Sequence, residues 1–138
     1  MTDGTIALLH AARHEEKRQA QFDRALAAAA EDAHDDALSE RANGLHADEQ
    51  HHLSRLTVRL VELGEAVTAL SAEPSPVVAI DGWEDVARER EAAELARYGA
   101  LLDRELDDKT RMMIDQFVEA EREHAQVLGG KWMGAEPW

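Results

Sequence analysis

The amino-acid sequence predicts an all-α fold, a four-helix bundle built from two helical hairpins. Helix-forming residues dominate the 138 residues, which include only 8 glycines and 3 prolines. Apolar residues recur at three- and four-residue steps, the period of an amphipathic helix. The one proline-rich, irregular stretch is AEPSPVVAI at 72–80, which divides the chain into two halves. Two helices in each half and one long connection are typical of such bundles.

The boundaries of the helices follow from capping residues and breaks in the apolar pattern. We expect helices at about 3–30, 36–63, 82–106 and 108–129, with a short tail at 130–138. Asp35 or Asp36 can cap the second helix, and Gly64 can end it. Asp81 and Glu84 have the spacing of a capping box for the third helix. The connection from Gly64 to Asp81 can span the bundle at about 3.3 Å per residue, so a long crossover can leave helices two and three parallel.

Length, charge and the absence of cysteine limit the classes of function. One domain, residues 1–138, is expected at this length. No long apolar run or basic leader is present, so we expect a cytoplasmic protein with no membrane partner. Without cysteine, a metal ion must be held by carboxylate oxygen and imidazole nitrogen. The net charge of −14 and the lack of a basic block argue against a nucleic-acid partner and favour cations.

Two of the predicted helices carry a Glu-x-x-His pair in the middle of an apolar stripe. Glu49 and His52 interrupt the stripe of the second helix, and Glu121 and His124 interrupt that of the fourth. The two members of each pair lie one turn apart on one face, so both can reach the same point in space. The neighbouring His51 falls on the outer face.

A glutamate also interrupts the apolar stripe of the first helix. The stripe through Glu15 carries Phe22 one heptad later, whereas the stripe through Glu16 carries Asp23. Because a buried aromatic residue is more ordinary than a buried aspartate, Glu15 is favoured over Glu16 as the core-facing residue.

The second half of the chain repeats this arrangement. Glu91 interrupts the stripe of the third helix, with Glu94 beside it one turn further on. An aromatic residue follows Glu15 after 7 residues, and the first Glu-x-x-His pair begins 34 residues after Glu15. In the same way, Tyr98 follows Glu91 after 7 residues, and the second pair begins 30 residues after Glu91. Unpaired buried carboxylates cost several kcal/mol each, and a bound cation offsets that cost. The pattern therefore predicts a site for two divalent transition-metal ions, with iron preferred, manganese second and zinc as a further candidate.

These residues resemble the dimetal motif of the ferritin-like superfamily, in the branch that includes rubrerythrin and bacterioferritin. The resemblance covers roughly residues 5–129 and rests on six side chains: Glu15, Glu49, His52, Glu91, Glu121 and His124. It implies that Glu49 and Glu121 bridge two metal ions, that Glu15 and Glu91 are terminal ligands, and that each histidine binds one ion. Glu94 resembles an additional carboxylate of rubrerythrin-like sites, and Tyr98 is a candidate auxiliary residue.

The resemblance also implies an activity. Two departures from the family's pattern exclude a haem group and a rubredoxin-type domain. Gln50 follows Glu49 where haem-binding bacterioferritins carry Met, so no haem is expected. The missing cysteines exclude a rubredoxin-type domain. The implied protein contains two iron ions, or manganese in their place. It oxidises Fe²⁺ with O₂ or H₂O₂ in iron handling or peroxide defence, as an oxidoreductase of the ferroxidase or peroxidase type.

Other functions fit the same sequence. An iron-storage or metal-binding bundle without catalytic turnover is one, and a metal-free helical interaction protein is another. We expect a homodimer or larger homo-oligomer, with Trp132 and Trp138 of the tail as candidate contacts. His10 and His14 lie near Glu15 in the first helix. They are either solvent-exposed histidines without a role in the site or ligands of an entry or auxiliary metal site.

Overall fold

The computed structural model describes residues 1–70 and 76–128, apart from the side chains of residues 127 and 128. The described residues form four helices: α1 (Asp3–Asp32), α2 (Asp36–Glu62), α3 (Trp83–Leu102) and α4 (Asp108–Leu128). No β-strand occurs among the described residues. Helix α1 packs on α2 and α3 packs on α4, so the chain forms two helical hairpins. The predicted all-α fold with four helices in two hairpins is therefore confirmed.

Each hairpin is a compact unit of its own, the first within Met1–Ile80 and the second within Asp81–Trp138. Residues 65–70 and 76–80 belong to no helix or strand. The predicted crossover includes residues 71–75, and the predicted tail contacts Trp132 and Trp138 fall within 129–138; both stretches lie outside the described residues. None of the helices in the described part of the chain is long and apolar enough to cross a bilayer.

The ends of α2 and the start of α4 follow the capping residues seen in the sequence. The carboxylate of Asp35 accepts a hydrogen bond from the backbone N–H of Leu38 at 3.1 Å, which caps α2. Gly64 follows the end of α2 with a φ of 86°, a conformation that glycine adopts without steric cost. Asp107 caps α4 by accepting from the backbone N–H of Thr110 at 2.8 Å.

Both ends of α3 differ from the prediction. The N-cap residue is Gly82, with a φ of 81° and no side-chain capping hydrogen bond, so the predicted capping box at Asp81 is wrong. The helix ends at Leu102, four residues before the predicted end at 106. There the guanidinium of Arg111 donates to the carbonyls of Leu102 and Arg104 at 3.1 and 2.9 Å. The first bond satisfies a carbonyl that the end of a helix leaves without an intrahelical donor, and the second holds the turn that follows α3.

The two helices of the first hairpin are antiparallel, and polar bonds fix their register. His46 of α2 bonds to the carbonyl of Ala20 of α1 at 2.8 Å, and Arg13 of α1 donates to the hydroxyl of Thr57 of α2 at 2.8 Å. The apolar core of this hairpin consists largely of leucine and alanine side chains: Leu9, Ala12, Leu26, Ala30, Leu38, Leu45, Leu56 and Leu60.

Aromatic packing joins the two helices of the second hairpin. The rings of Tyr98 in α3 and Phe117 in α4 lie with their centroids 5.6 Å apart and their planes inclined by 53°. This tilted geometry is favourable for aromatic pairs. Leu101 and Ile114 are buried beside them in the same unit. This packing fixes which residues of α3 and α4 stand opposite each other around the polar positions of the core.

Candidate functional site

The first hairpin buries a group of two glutamates and one histidine, which we call the first-hairpin set: Glu16, Glu49 and His52. One ligand atom from each residue lies within 4.8 Å of the other two. Nδ1 of His52 is 3.7 Å from Oε1 of Glu16 and 3.7 Å from Oε2 of Glu49. Glu16 and Glu49 have no exposed surface, and His52 is 5% exposed. Helix α1 thus supplies one carboxylate, and one turn of α2 supplies the other carboxylate and the imidazole.

Glu15 does not face the core of the first hairpin, so its predicted placement is wrong. Its side chain is partly exposed and pairs with Arg18 one turn further along α1. The buried stripe of α1 instead runs through Leu9, Ala12 and Glu16 and continues through Asp23, which is 2% exposed. Asp23 is the residue that disfavours this stripe in the sequence, and the structure buries that aspartate. A second buried acid, rather than an error in helical period, therefore led to the wrong choice.

The second hairpin buries a matching group, the second-hairpin set: Glu91, Glu121 and His124. One ligand atom from each lies within 4.8 Å of the other two. Nδ1 of His124 is 3.3 Å from Oε2 of Glu121. All three residues are buried, Glu121 completely. The structure brings these three predicted residues together, with one carboxylate from α3 and the Glu-x-x-His pair from α4.

Two further residues named from the sequence lie in the core of the second hairpin. Glu94 is buried one turn from Glu91 but does not belong to the second-hairpin set. Burial raises the pKa of the Tyr98 phenol well above its usual value, and the negative charge of Glu121 raises this pKa further. Tyr98 is therefore a neutral phenol packed on Phe117 across the range in which proteins are stable.

Each set has the chemistry and the spacing that a divalent metal ion requires. Ligand atoms about 2.1 Å from an ion lie about 3 Å apart when adjacent and about 4.2 Å apart when opposite in an octahedral site. Three histidine-to-glutamate separations, 3.7, 3.7 and 3.3 Å, lie between these two values. Two carboxylates and one imidazole suit transition ions such as iron, manganese or zinc. The buried Glu and His residues can thus hold a metal ion.

The buried positive charge of the first hairpin is not directed at its carboxylates. Arg13 is the one buried Lys or Arg among the described residues. Its guanidinium donates to the hydroxyl of Thr57 at 2.8 Å and to the carbonyl of Thr68 at 2.9 Å, two neutral oxygens. A salt bridge to Arg13 therefore does not balance the charge of Glu16 and Glu49. A metal ion would balance it.

A scan against protein-family models finds no match for this chain, and no curated protein matches it. The two Glu and His sets are therefore interpreted from their geometry and chemistry.

The histidines outside the two sets have other surroundings. His14 and His51 are exposed. Nε2 of His10 lies 2.9 Å from Oε1 of Glu65, so His10 ties α1 to the segment that follows α2. Neither the burial of Arg13 nor the hydrogen bond of His46 is predicted from the sequence. Arg13 lies one turn from Glu16 on the buried stripe of α1, and the correct helical phase would have revealed it.

Proposed function

We propose that this protein binds two divalent transition-metal ions, one anchored by each hairpin, and that it oxidises Fe²⁺ with O₂ or H₂O₂. One observation carries the proposal: each hairpin buries two glutamates and one histidine whose ligand atoms lie within 4.8 Å of one another. The ferritin-like resemblance of the Glu-x-x-His pairs supports the same function. Two binding sets of the same composition in one short chain favour a pair of ions.

The electrostatic cost of the two sets supports a bound cation. Glu16 and Glu49 lie within reach of the same imidazole, and Glu91 and Glu121 are similarly close. Burying like charges together is costly unless a positive charge accompanies them. Arg13 donates to Thr57 and Thr68, and a bound divalent cation would offset the cost of burying the two carboxylates.

The preference for iron follows from the carboxylate-rich donors, because hard oxygen ligands stabilise the Fe³⁺ product more than the Fe²⁺ substrate. In the reaction, two Fe²⁺ ions each lose one electron. Reduction of H₂O₂ by these two electrons consumes two protons and gives two water molecules; reduction of O₂ by two electrons and two protons gives H₂O₂. The four glutamates and two histidines of the two sets hold the ions while the electrons leave.

Anaerobic titration with Fe²⁺ followed by exposure to O₂ or H₂O₂ tests the proposal. We expect about two bound Fe²⁺ per chain, followed by consumption of the oxidant and near-ultraviolet absorption from a ferric pair. Replacing Glu49 and His52 together by glutamine should abolish binding at the first hairpin and stop oxidation. The matched control replaces their exposed neighbours, Asp48 by asparagine and His51 by glutamine.

The outcomes separate binding from turnover. Failure of the wild-type protein to bind Fe²⁺, Mn²⁺ or Zn²⁺ would overturn the proposal. Binding of two ions without consumption of oxidant would leave a metal-binding protein and remove the oxidase activity. Equal loss of iron in the Glu49 and His52 variant and in the Asp48 and His51 control would place the ions elsewhere.

A further inference from the structure

His46 of α2 has a fixed ring orientation and a well-defined tautomer. Its Nδ1 lies 2.8 Å from the carbonyl oxygen of Ala20 on α1. A carbonyl oxygen only accepts, so Nδ1 carries the proton and donates it. In the neutral imidazole the lone pair then resides on Nε2, which makes no hydrogen bond to any described residue.

This is the bonding pattern in which proteins present histidine to a metal ion. A histidine ligand usually donates its second ring N–H to a backbone carbonyl or carboxylate, which fixes the tautomer and orients the ring. Ala20 provides such a carbonyl to His46. The imidazole is held in place before any ligand approaches, with its Nε2 able to accept a cation.

His46 lies one turn before the first-hairpin set on α2 and is more exposed than the two members of the set on that helix. It precedes Glu49 by three residues, as Glu49 precedes His52, so three side chains that can ligate a metal follow each other at single turns of α2. Cβ atoms at this spacing are about 5–6 Å apart. His46 is half-buried, whereas Glu49 and His52 are buried. The series therefore leads from the surface to the core.

The second hairpin has no equivalent of His46. The residue three positions before Glu121 is Val118, which cannot ligate a metal ion. This difference separates His46 from the repeated Glu-x-x-His pair and indicates a role specific to the first hairpin.

We propose that His46 is an entry ligand that captures a hydrated divalent cation through Nε2 and transfers it to Glu49. The inference rests on the proposed metal-binding function. Transfer is a ligand exchange: the cation loses water as it binds Nε2, and it leaves Nε2 as the carboxylate of Glu49 binds it. No electron moves and the charge of the ion is unchanged. His46 thus affects how fast the first-hairpin set fills and does not belong to the set.

The test compares the rate of metal uptake with the final amount bound. His46→Asn keeps an N–H near the position of Nδ1 for the Ala20 carbonyl and removes Nε2; the control, His51→Asn, changes an exposed histidine on the same helix. Stopped-flow mixing with Co²⁺, monitored by its visible absorption, gives the rate. Equilibrium dialysis gives the amount bound. We expect His46→Asn to slow uptake about tenfold at low Co²⁺ while the final amount stays at the wild-type value.

Saturation and unfolding measurements distinguish entry from structural support. The slowing should disappear at saturating Co²⁺, and thermal unfolding of His46→Asn should match that of the wild type. His46→Ala, which removes both ring nitrogens, should show the same slow uptake with a lower unfolding temperature. Uptake at the wild-type rate in both His46 variants, or slowing in proportion to a loss of bound Co²⁺, would overturn the inference. A wild-type protein that binds no Co²⁺ or Fe²⁺ would overturn the proposed function itself.

Discussion

Nδ1 of His52 and Oε1 of Glu16 lie 3.7 Å apart across the two helices of the first hairpin. This pairing predicts that Glu16→Gln weakens binding of one metal ion by at least about tenfold, because the amide cannot replace a charged ligand. Glu15→Gln is the matched control, since Glu15 is partly exposed and paired with Arg18. Calorimetric titration with Co²⁺ measures both variants. A larger loss of affinity in Glu15→Gln than in Glu16→Gln would contradict the structure.

The equivalent comparison in the second hairpin is between two buried glutamates. Glu91 belongs to the second-hairpin set and Glu94 does not. We therefore expect Glu91→Gln to lose one of the two bound ions, and Glu94→Gln to retain both with a smaller change in affinity. Metal analysis after dialysis of each variant against Fe²⁺ without oxygen provides the measurement. Retention of both ions by Glu91→Gln and loss of one by Glu94→Gln would reverse the assignment.

Metal binding should stabilise the folded protein. At a free-ion concentration one hundred times the dissociation constant, one site adds about 2.7 kcal/mol to the free energy of unfolding. For a chain of this length that corresponds to a rise of roughly 10 °C in the unfolding temperature. Thermal unfolding followed by circular dichroism should show this rise on adding Mn²⁺ and its reversal by a chelator. The variant with glutamine at both 49 and 52 should show a smaller rise; an equal rise would indicate binding outside the first-hairpin set.

The ionisation of Tyr98 in the core of the second hairpin can be measured directly, because Tyr98 is the one tyrosine in the sequence. Its folded-state pKa is raised by burial and by Glu121, so the neutral phenol favours the folded state. This contribution is fully present below the unfolded-state pKa of about 10 and is lost as the pH rises through the folded-state pKa. Tyrosinate absorption should therefore appear only well above pH 10, together with unfolding. Tyrosinate formation near pH 10 in a protein that remains helical would disprove the shift.

Two glycines should respond in opposite directions to replacement by alanine. Gly44 lies within α2, and an added Cβ there meets nothing within 4 Å among the described residues. Gly44→Ala should therefore raise the free energy of unfolding by about 0.5–1 kcal/mol. Gly64 has a φ of 86°, so Gly64→Ala should lower this free energy by about 1–2 kcal/mol. Urea unfolding measures both; stabilisation by Gly64→Ala would contradict the left-handed turn after α2.

The buried face of a helix was easiest to predict where leucines and candidate ligand residues shared one stripe. In α2, Leu45 and Leu56 lie on the predicted stripe on either side of Glu49 and His52, and all four residues are buried. The same reasoning placed Glu121 and His124. Capping was also readable at Asp35, because an aspartate at the start of a helix bonds locally to the backbone.

Helix α1 was ambiguous because its alanines fit more than one helical phase. The choice between Glu15 and Glu16 depended on whether Phe22 or Asp23 faces the core, and the structure buries both residues. A burial rule based on hydrophobicity fails where a core contains several acids. The start of α3 also depends on the glycine conformation at Gly82 rather than on the side chain of Asp81. A rule based on side-chain capping motifs does not detect such a start.

Three hydrogen bonds join the two helices of the first hairpin on either side of the first-hairpin set. Arg13 bonds to Thr57, His46 to Ala20, and Arg24 to Asn43 at 3.5 Å, whereas Glu16, Glu49 and His52 lie between these bonds along the helices. The hairpin can therefore assemble in the absence of metal, with its three donor groups already gathered. Under the proposed metal-binding function, little of the binding free energy would have to order the chain, unlike that of a zinc finger. The apoprotein would then release and recapture its ion many times without unfolding.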